Sequence, residues 1–182
     1  MFSKHKQTGG IYLVLHNIRS VYNVGSIFRT ADAAGVSRIY LTGYTPVPVD
    51  CVGRKRSDFA KVSLGAEETV SWKYLARIGP LLNALKKDGV RLIAVEQDPR
   101  STDYRRPRRA KRVAFVFGNE VTGLQRHVLG RCDQIAEIPM RGAMVRHAHH
   151  PCRTGAGKES LNVAVAAGIV LFQYNCTTYP ST

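Results

Sequence analysis

Cysteine is sparse in this chain and never clustered. Cys51, Cys132, Cys152 and Cys176 lie far apart, and no CxxC pair occurs. In a chain of 182 residues this speaks against a disulfide-stapled scaffold and for reduced thiols, as in the cytosol. A secretory leader is missing too: residues 1–10 are polar, and the apolar segment Ile11 to Leu15 is too short for a signal core. The stretch Val163 to Phe172 holds no charged or strongly polar residue, yet a membrane helix needs about 20 apolar positions. No G-x-G-x-x-G and no G-x-x-x-x-G-K-[ST] is present, which removes the dinucleotide fingerprint and the P-loop. These absences lead to the expectation of a cytoplasmic globular protein with no membrane-spanning segment.

Acidic residues are also scarce, with 13 Asp and Glu against 27 Lys and Arg, a formal charge of +14. Such an excess implies a polyanionic partner or an acidic membrane surface. It is spread over both halves of the chain, with one dense cluster at Arg100, Arg105, Arg106, Arg108, Arg109, Lys111 and Arg112. A smaller one is Arg54-Lys55-Arg56. Membrane binding would call for a basic amphipathic helix with large apolar residues opposite. The larger cluster carries Pro99 and Pro107 and almost no large apolar side chain, so it reads as a loop. Nucleic acid is the expected partner. Arg54, Lys55, Arg56, Arg105, Arg106, Arg108, Arg109 and, further on, Arg146 are the candidate contacts. A merely solvated basic loop is the plainer alternative.

The apolar fraction, 44 %, suits one globular domain over residues 1–182. Short apolar runs predict strands at Ile11–Leu15, Arg38–Thr42, Arg91–Val95, Val113–Phe117 and Ile135–Ile138, with Val70–Tyr74 a short strand or turn. Helical spacing of Val24, Ile27, Phe28, Ala31 and Ala34 predicts a helix, with Asn23 as its N-cap and Gly35 as its stop. Pro80–Lys87 and residues 161–174 supply two more helices. Continuous apolar strands alternating with helices indicate an α/β fold, a mainly parallel sheet flanked by helices. Ligands on such sheets bind beyond the strands' carboxyl ends. Those ends carry Glu96-Gln97-Asp98-Pro99, Gly118-Asn119-Glu120-Val121-Thr122-Gly123-Leu124 and Pro139-Met140-Arg141-Gly142.

The final helix is apolar all round, which predicts enclosure by protein. Ser160 and Asn162 enter it as polar groups; either they cap the helix start, or Asn162 has a fixed partner elsewhere. Arg29, beside the apolar stripe of its helix, reads locally as a snorkelling surface residue.

Three ordered blocks carry a resemblance. They are Asn23-Val24-Gly25-Ser26-Ile27-Phe28-Arg29-Thr30-Ala31-Asp32-Ala33-Ala34-Gly35-Val36, then Phe117 to Leu124, then Ile138-Pro139-Met140 with Ser160-Leu161-Asn162-Val163-Ala164-Val165-Ala166. Leu64-Gly65-Ala66-Glu67-Glu68 fits the same pattern. Over about residues 10–174 the chain resembles the SpoU (TrmH-type) RNA ribose methyltransferases of the SPOUT superfamily. The resemblance implies an α/β knot with a C-terminal deep trefoil, a homodimer, and S-adenosylmethionine bound in the knot. It places that donor against Val95, Glu96, Gly118, Asn119, Ile138, Met140 and Leu161. It makes Arg29 the catalytic arginine, reaching the substrate from the partner's side, and assigns Asn23, Glu120, Ser160 and Asn162 to the remaining catalytic motif positions.

The chemistry suits these residue types. Attack of a ribose 2′-hydroxyl on a sulfonium methyl needs orientation and stabilisation of a developing oxyanion. Arg29 serves as a fixed cation gripping the neighbouring phosphate and not as a base, because guanidinium stays protonated. One departure from the family pattern is the insertion at residues 141–159, which holds His147, His149, His150 and Cys152. Their spacing is too tight for four tetrahedral bonds, so no metal is expected. With only about ten residues before the first strand, transfer RNA is favoured over ribosomal RNA as the substrate, and a non-catalytic RNA-binding knot protein is the alternative class.

Overall fold

The computed structural model describes residues 10–106, 110–141 and 160–178. Seven strands form one sheet: β1 (Gly10–His16), β2 (Arg38–Thr42), β3 (Trp72–Leu75), β4 (Arg91–Val95), β5 (Thr102–Asp103), β6 (Arg112–Phe117) and β7 (Gln134–Glu137). Their spatial order is β3-β2-β1-β6-β4-β7-β5, and every pairing is parallel. The mainly parallel sheet expected from the apolar runs is therefore present.

Side chains along each central strand alternate between two cores, as the pleat requires. Leu13, Leu15, Ile93, Val113, Phe115 and Phe117 pack on one face. Val14, Leu92, Ala94, Ala114 and Val116 pack on the other. The first face is covered by α1 (Val21–Ala33), α2 (Ser57–Ser63), α3 (Ala66–Thr69) and α6 (Val163–Thr178), the second by α4 (Ile78–Lys87) and α5 (Arg126–Leu129). Burial on both faces explains why the strands read as unbroken apolar runs.

Several boundaries differ from expectation for identifiable reasons. The N-cap of α1 is Ser20, whose Oγ accepts from the Asn23 N–H at 3.3 Å, so the helix begins a turn before the expected Asn23 cap. Gly35 does end it, at φ +67°, with the Val36 N–H returning to Ala31 O at 2.9 Å. The supposed loop at 100–112 contains β5, a two-residue edge strand with no apolar pattern to announce it. Helix α6 is not fully enclosed. Ala167, Val170, Leu171 and Tyr174 are buried, while Val165 and Phe172 remain 51 % and 48 % exposed.

Among the described residues no helix is long and apolar enough to cross a membrane. Cys51, Cys132 and Cys176 are free thiols, and burial pushes the Cys132 thiol up to about 12, which keeps it protonated and inert. The basic residues Arg108, Arg109 and Arg146, and the inserted His147, His149, His150 and Cys152, lie outside the described residues.

Helices α1 and α2 meet at Gly25, where an added Cβ would stand 2.9 Å from Val62 Cβ and 3.3 Å from the Ser63 backbone nitrogen. Gly25→Ala gains about 1 kcal/mol of helix propensity but overpacks this contact at a cost of about 1–3 kcal/mol. A net loss of up to about 2 kcal/mol is expected in chemical denaturation, and a stabilised variant would contradict the close packing.

Candidate active site

The loop after β6 supplies the centre of the site. Glu120 accepts hydrogen bonds from the backbone N–H of Arg19 at 3.0 Å and of Ser20 at 3.2 Å, and from Asn23 Nδ2 at 2.8 Å. Asn23 Oδ1 in turn accepts from Asn162 Nδ2 at 3.0 Å. Asn162 Oδ1 then accepts from the backbone N–H of Ala164 at 2.9 Å and of Val165 at 3.4 Å. Asn162 is thus both the cap of α6 and a member of a polar chain, so its two local readings are satisfied together. Burial works to raise the Glu120 pKa, but the bonds from Arg19, Asn23 and Ser20 outweigh it and hold the carboxyl below its ordinary range. Ser160 is exposed, two residues before Asn162.

Gly118 opens this loop because nothing larger fits: a Cβ there would lie 2.6 Å from the carbonyl carbon of Gly123. Asn119 is buried and closes the turn. Its Oδ1 accepts from the N–H groups of Val121 at 2.8 Å and Thr122 at 2.9 Å. Its Nδ2 donates to Asn17 O at 3.0 Å and to the Tyr44 hydroxyl at 2.9 Å. With every polar group of that side chain engaged, Asn119 builds the loop and has only backbone to offer a ligand.

Beside it, at the end of β4, the Glu96 carboxylate accepts from the Leu124 N–H at 2.7 Å and the Gln97 N–H at 3.1 Å. Burial raises its pKa above the ordinary value despite those bonds. Val95, Glu96, Ile138, Met140 and Leu161 are all half-buried. The ends of β4, β6 and β7 therefore present apolar edges, backbone and one carboxylate, a set that suits a nucleoside with hydroxyl groups to be accepted and a cationic centre to be balanced.

Arg29 is placed elsewhere. Six residues past Asn23, it stands about 9 Å along the helix and about 120° around it. Thr30, on Asn23's face, meets α6, with its Cγ2 3.6 Å from where a Cβ on Gly168 would be. Arg29 instead lines a surface pocket of about 380 Å³ with Asp32, Ser63, Leu64, Gly65, Ala66 and Thr69. It is exposed, and among the described residues it forms no ion pair; Asp32 takes the Thr69 hydroxyl at 2.7 Å instead. Asn23, Glu120 and Asn162 are brought together, and Arg29 and Asn162 of one chain are not.

The expected RNA-contacting cations are mostly paired within their own loops. Arg54 bonds Asp50, Lys55 bonds Glu68, Arg56 bonds Asp58 and Arg105 bonds Asp103. The bonds from Arg105 and from Arg100 pull Asp103 and Asp98 down to about 2. Exposed pairs of this kind contribute little to stability, so a phosphate can displace the carboxylate at small cost. Arg106 is exposed without an ion pair among the described residues.

Three residues at the strand ends were not singled out from sequence. Asn17, at φ +58°, donates through Nδ2 to His16 Nε2 at 3.3 Å and accepts the Tyr44 N–H at 3.3 Å. His16 Nδ1 meets the Thr42 hydroxyl at 2.9 Å, and burial, then the charge of His127, lowers its pKa. An uncharged His16 fits that position. Tyr44 joins the group through Asn119. The one available signal was position, since His16 ends β1, Asn17 follows it and Tyr44 is the second residue past β2.

A parallel sheet covered on both faces, with glycine-bearing loops and a polar chain gathered at its carboxyl edge, defines an α/β ligand-binding domain. Residues 10–146 match the model of the SpoU rRNA Methylase family, and the chain belongs to that family. It is 32 % identical over 167 residues to the 23S rRNA (guanosine-2′-O-)-methyltransferase RlmB of Ralstonia nicotianae, covering 90 % of this chain and 57 % of that protein. An AdoMet-bound rRNA methyltransferase from Sinorhizobium meliloti superposes with TM-score 0.77 at 30 % identity, over 97 % of this chain and 59 % of that one. A structure concerned with 2-OH methylation of C/U34 on tRNA gives TM-score 0.71 at 25 % identity, over 94 % and 97 % of the two chains. The chain thus spans less than two thirds of the RlmB and S. meliloti proteins it matches.

Glu120 is held in its charged form, so its contribution to stability is complete above the ordinary glutamate pKa and lost as pH falls through the lowered one. Glu120→Gln should cost about 1–2 kcal/mol near neutrality, because one amide oxygen replaces a charged two-oxygen acceptor. The gap between the two proteins should narrow as pH falls below the ordinary glutamate value and close once the wild-type group is itself protonated. A gap in urea midpoint that stays constant across that range would contradict the assignment.

Proposed function

We propose that this protein is an S-adenosylmethionine-dependent RNA ribose 2′-O-methyltransferase, acting in the cytoplasm as a homodimer on ribosomal RNA. The observation that carries the reading is the hydrogen-bonded chain Glu120–Asn23–Asn162, which ties all three motif blocks into one site. When bound, the donor supplies an electrophilic methyl group on a sulfonium. Val95, Ile138, Met140 and Leu161 would flank it, with the backbone at Gly118 and Asn119 beneath and the Glu96 carboxylate accepting its hydroxyls. Asn162 and Ser160 orient the reacting groups at the start of α6, and Glu120 fixes Asn23, and through it Asn162. In sequence the insertion at 141–159 separates Met140 from Ser160, two positions of the proposed site, and a knot in this C-terminal part of the fold would fit the docking of residue 162 on α1.

Arg29 stays protonated, so it acts by holding the phosphate beside the target ribose and stabilising the oxygen that develops charge. The hydroxyl proton is relayed through that phosphate. Because Arg29 and Asn162 lie on different faces of α1, the complete site needs Arg29 from a second copy. The half-exposed apolar stripe of α6 supports such a pairing. Val165 and Phe172 stand on one face, and Tyr22, 70 % exposed, opens α1 nearby in sequence to Asn23.

Ribosomal RNA replaces the transfer RNA expected from the short segment before β1. The matched family and the RlmB relatives are named for ribosomal RNA, and the length preceding a strand does not read a substrate. Basic loops of both subunits would track the phosphates, Arg54, Lys55, Arg56, Arg105 and Arg106 among the described residues and Arg108, Arg109 and Arg146 beyond them.

Tritium-methyl transfer onto isolated 23S rRNA, followed by digestion to nucleosides, should yield 2′-O-methylated product; methylation of bulk tRNA alone would reverse the substrate assignment, and a methylated base would overturn the chemistry. Arg29→Ala should lower transfer by at least about 100-fold while shifting stability by less than about 0.5 kcal/mol, since the side chain is exposed. Retained turnover would refute its role. Val165→Asp should convert a dimer to a folded, inactive monomer in sedimentation velocity; a wild-type protein that is monomeric and active would refute the shared site.

A further inference from the structure

Two tyrosines at the carboxyl edge of β2 and β3 have no chemical step in methyl transfer to perform, and their geometry is unusual for surface aromatics. Tyr44 is 59 % exposed and Tyr74 46 % exposed. Both are nevertheless fixed at the tip: Asn119 Nδ2 donates to the Tyr44 hydroxyl at 2.9 Å, and the Tyr74 hydroxyl donates to Gly43 O at 2.8 Å. Tyr44 is held at its other end as well, its N–H bonding Asn17 Oδ1 at 3.3 Å. Tyr74 is thus anchored to Gly43, the residue directly before Tyr44. A scattered surface tyrosine is free to rotate; these rings are held still while much of their surface faces solvent.

We propose that Tyr44 and Tyr74 form a stacking platform for unpaired nucleobases of the RNA that this chain binds. The proposal rests on the RNA reading above and adds to it the kind of RNA accepted, single-stranded or looped at the site. Base stacking on an aromatic ring is sequence-tolerant, and a pre-fixed ring loses little entropy when a base lands on it. Charge around the platform is complementary. Arg77 lies three residues past Tyr74 and Arg19 two residues past Asn17; both are exposed and neither forms an ion pair among the described residues. Arg54, Lys55, Arg56, Arg100 and Arg105, by contrast, carry carboxylate partners. The platform is also coupled to the site. Asn119 holds Tyr44, and the next residue, Glu120, holds Asn23. A base on Tyr44 would therefore belong to a nucleotide close to the one whose ribose is presented.

The test uses the full chain and two labelled RNAs about 12 nucleotides long, oligouridine and an abasic ribose-phosphate of equal charge. Fluorescence anisotropy should show the wild type preferring the uridine RNA by at least about 10-fold. Tyr44→Ala should weaken uridine binding about 5- to 100-fold and leave abasic binding unchanged. Tyr44→Phe, which keeps the ring and loses only the Asn119 bond, should retain most of the preference. Equal wild-type affinity for the two RNAs, or an equal loss on both with Tyr44→Ala, would overturn the platform while leaving the RNA reading intact. Binding of neither RNA would overturn both.

Discussion

Glu120 sits after β6 and accepts three N–H groups from a segment a hundred residues earlier, at Arg19, Ser20 and Asn23. Those donors are the turn after β1 and the first turn of α1, where helix geometry leaves N–H groups without partners. The Ser20 side chain satisfies the backbone N–H of Asn23, and Glu120 takes the N–H of the cap residue Ser20, of Arg19 before it and of the Asn23 side-chain amide. A carboxylate in that place also complements the helix dipole. Once α1 is fixed at its start, Asn23 is presented to Asn162, and the start of α6 is fixed in turn. The loop itself can reach α1 only because Gly118 and Gly123 pass within van der Waals contact. Position of the last helix thus depends on one carboxylate and on the glycines that let it approach.

Much of the sheet was legible because its strands are buried on both faces. Arg38–Thr42 and Arg91–Val95 coincide with β2 and β4. Periodicity failed where burial is partial or the element is short. β5 is two residues at the sheet edge, α5 is one helical turn, and neither is long enough to show a repeat. The start of α1 was misplaced because Ser20 and Asn23 are both good capping residues and lie one turn apart. Local preference cannot decide between them; Glu120, distant in sequence, does so by engaging the Asn23 amide. On α6 the composition implied enclosure, yet no periodicity distinguishes the buried Ala167 and Leu171 from the exposed Val165 and Phe172. Apolar residues on both faces are what a helix shows when one face packs on its own chain and the other awaits a second surface.

The site was legible as a set of motif positions and less so as geometry. Asn119, expected to contact the donor, spends its side chain on closing the loop, a role visible only once Val121, Thr122, Asn17 and Tyr44 are placed around it. The basic clusters looked like free charge in the sequence. Asp50, Asp58, Asp98 and Asp103 lie within a few residues of the arginines they neutralise, so the density of positive charge overstated what is unpaired. Among the cations without such partners, Arg19 and Arg77 are isolated in sequence and attracted no notice.

Spacing within the first motif follows from the helix that carries it. Gly25 stands about 200° around from Asn23, and Arg29 about 240°, so the two share a side of α1 that Asn23 does not. On that side the missing Cβ of Gly25 admits Val62 and brings the turn between α2 and α3 beside Arg29. Thr30, seven residues past Asn23, returns to its face and receives Gly168. One thirteen-residue helix therefore serves three neighbours: the Glu120 loop at its start, α6 along one face, and the α2–α3 turn along another. Moving Arg29 by one position would carry it about 100° around the axis, into α6 or toward the core where Phe28 is fully buried. The six-residue interval from Asn23 to Arg29 is thus a geometric requirement. It keeps a cation on the open side of the helix whose closed side anchors Asn162.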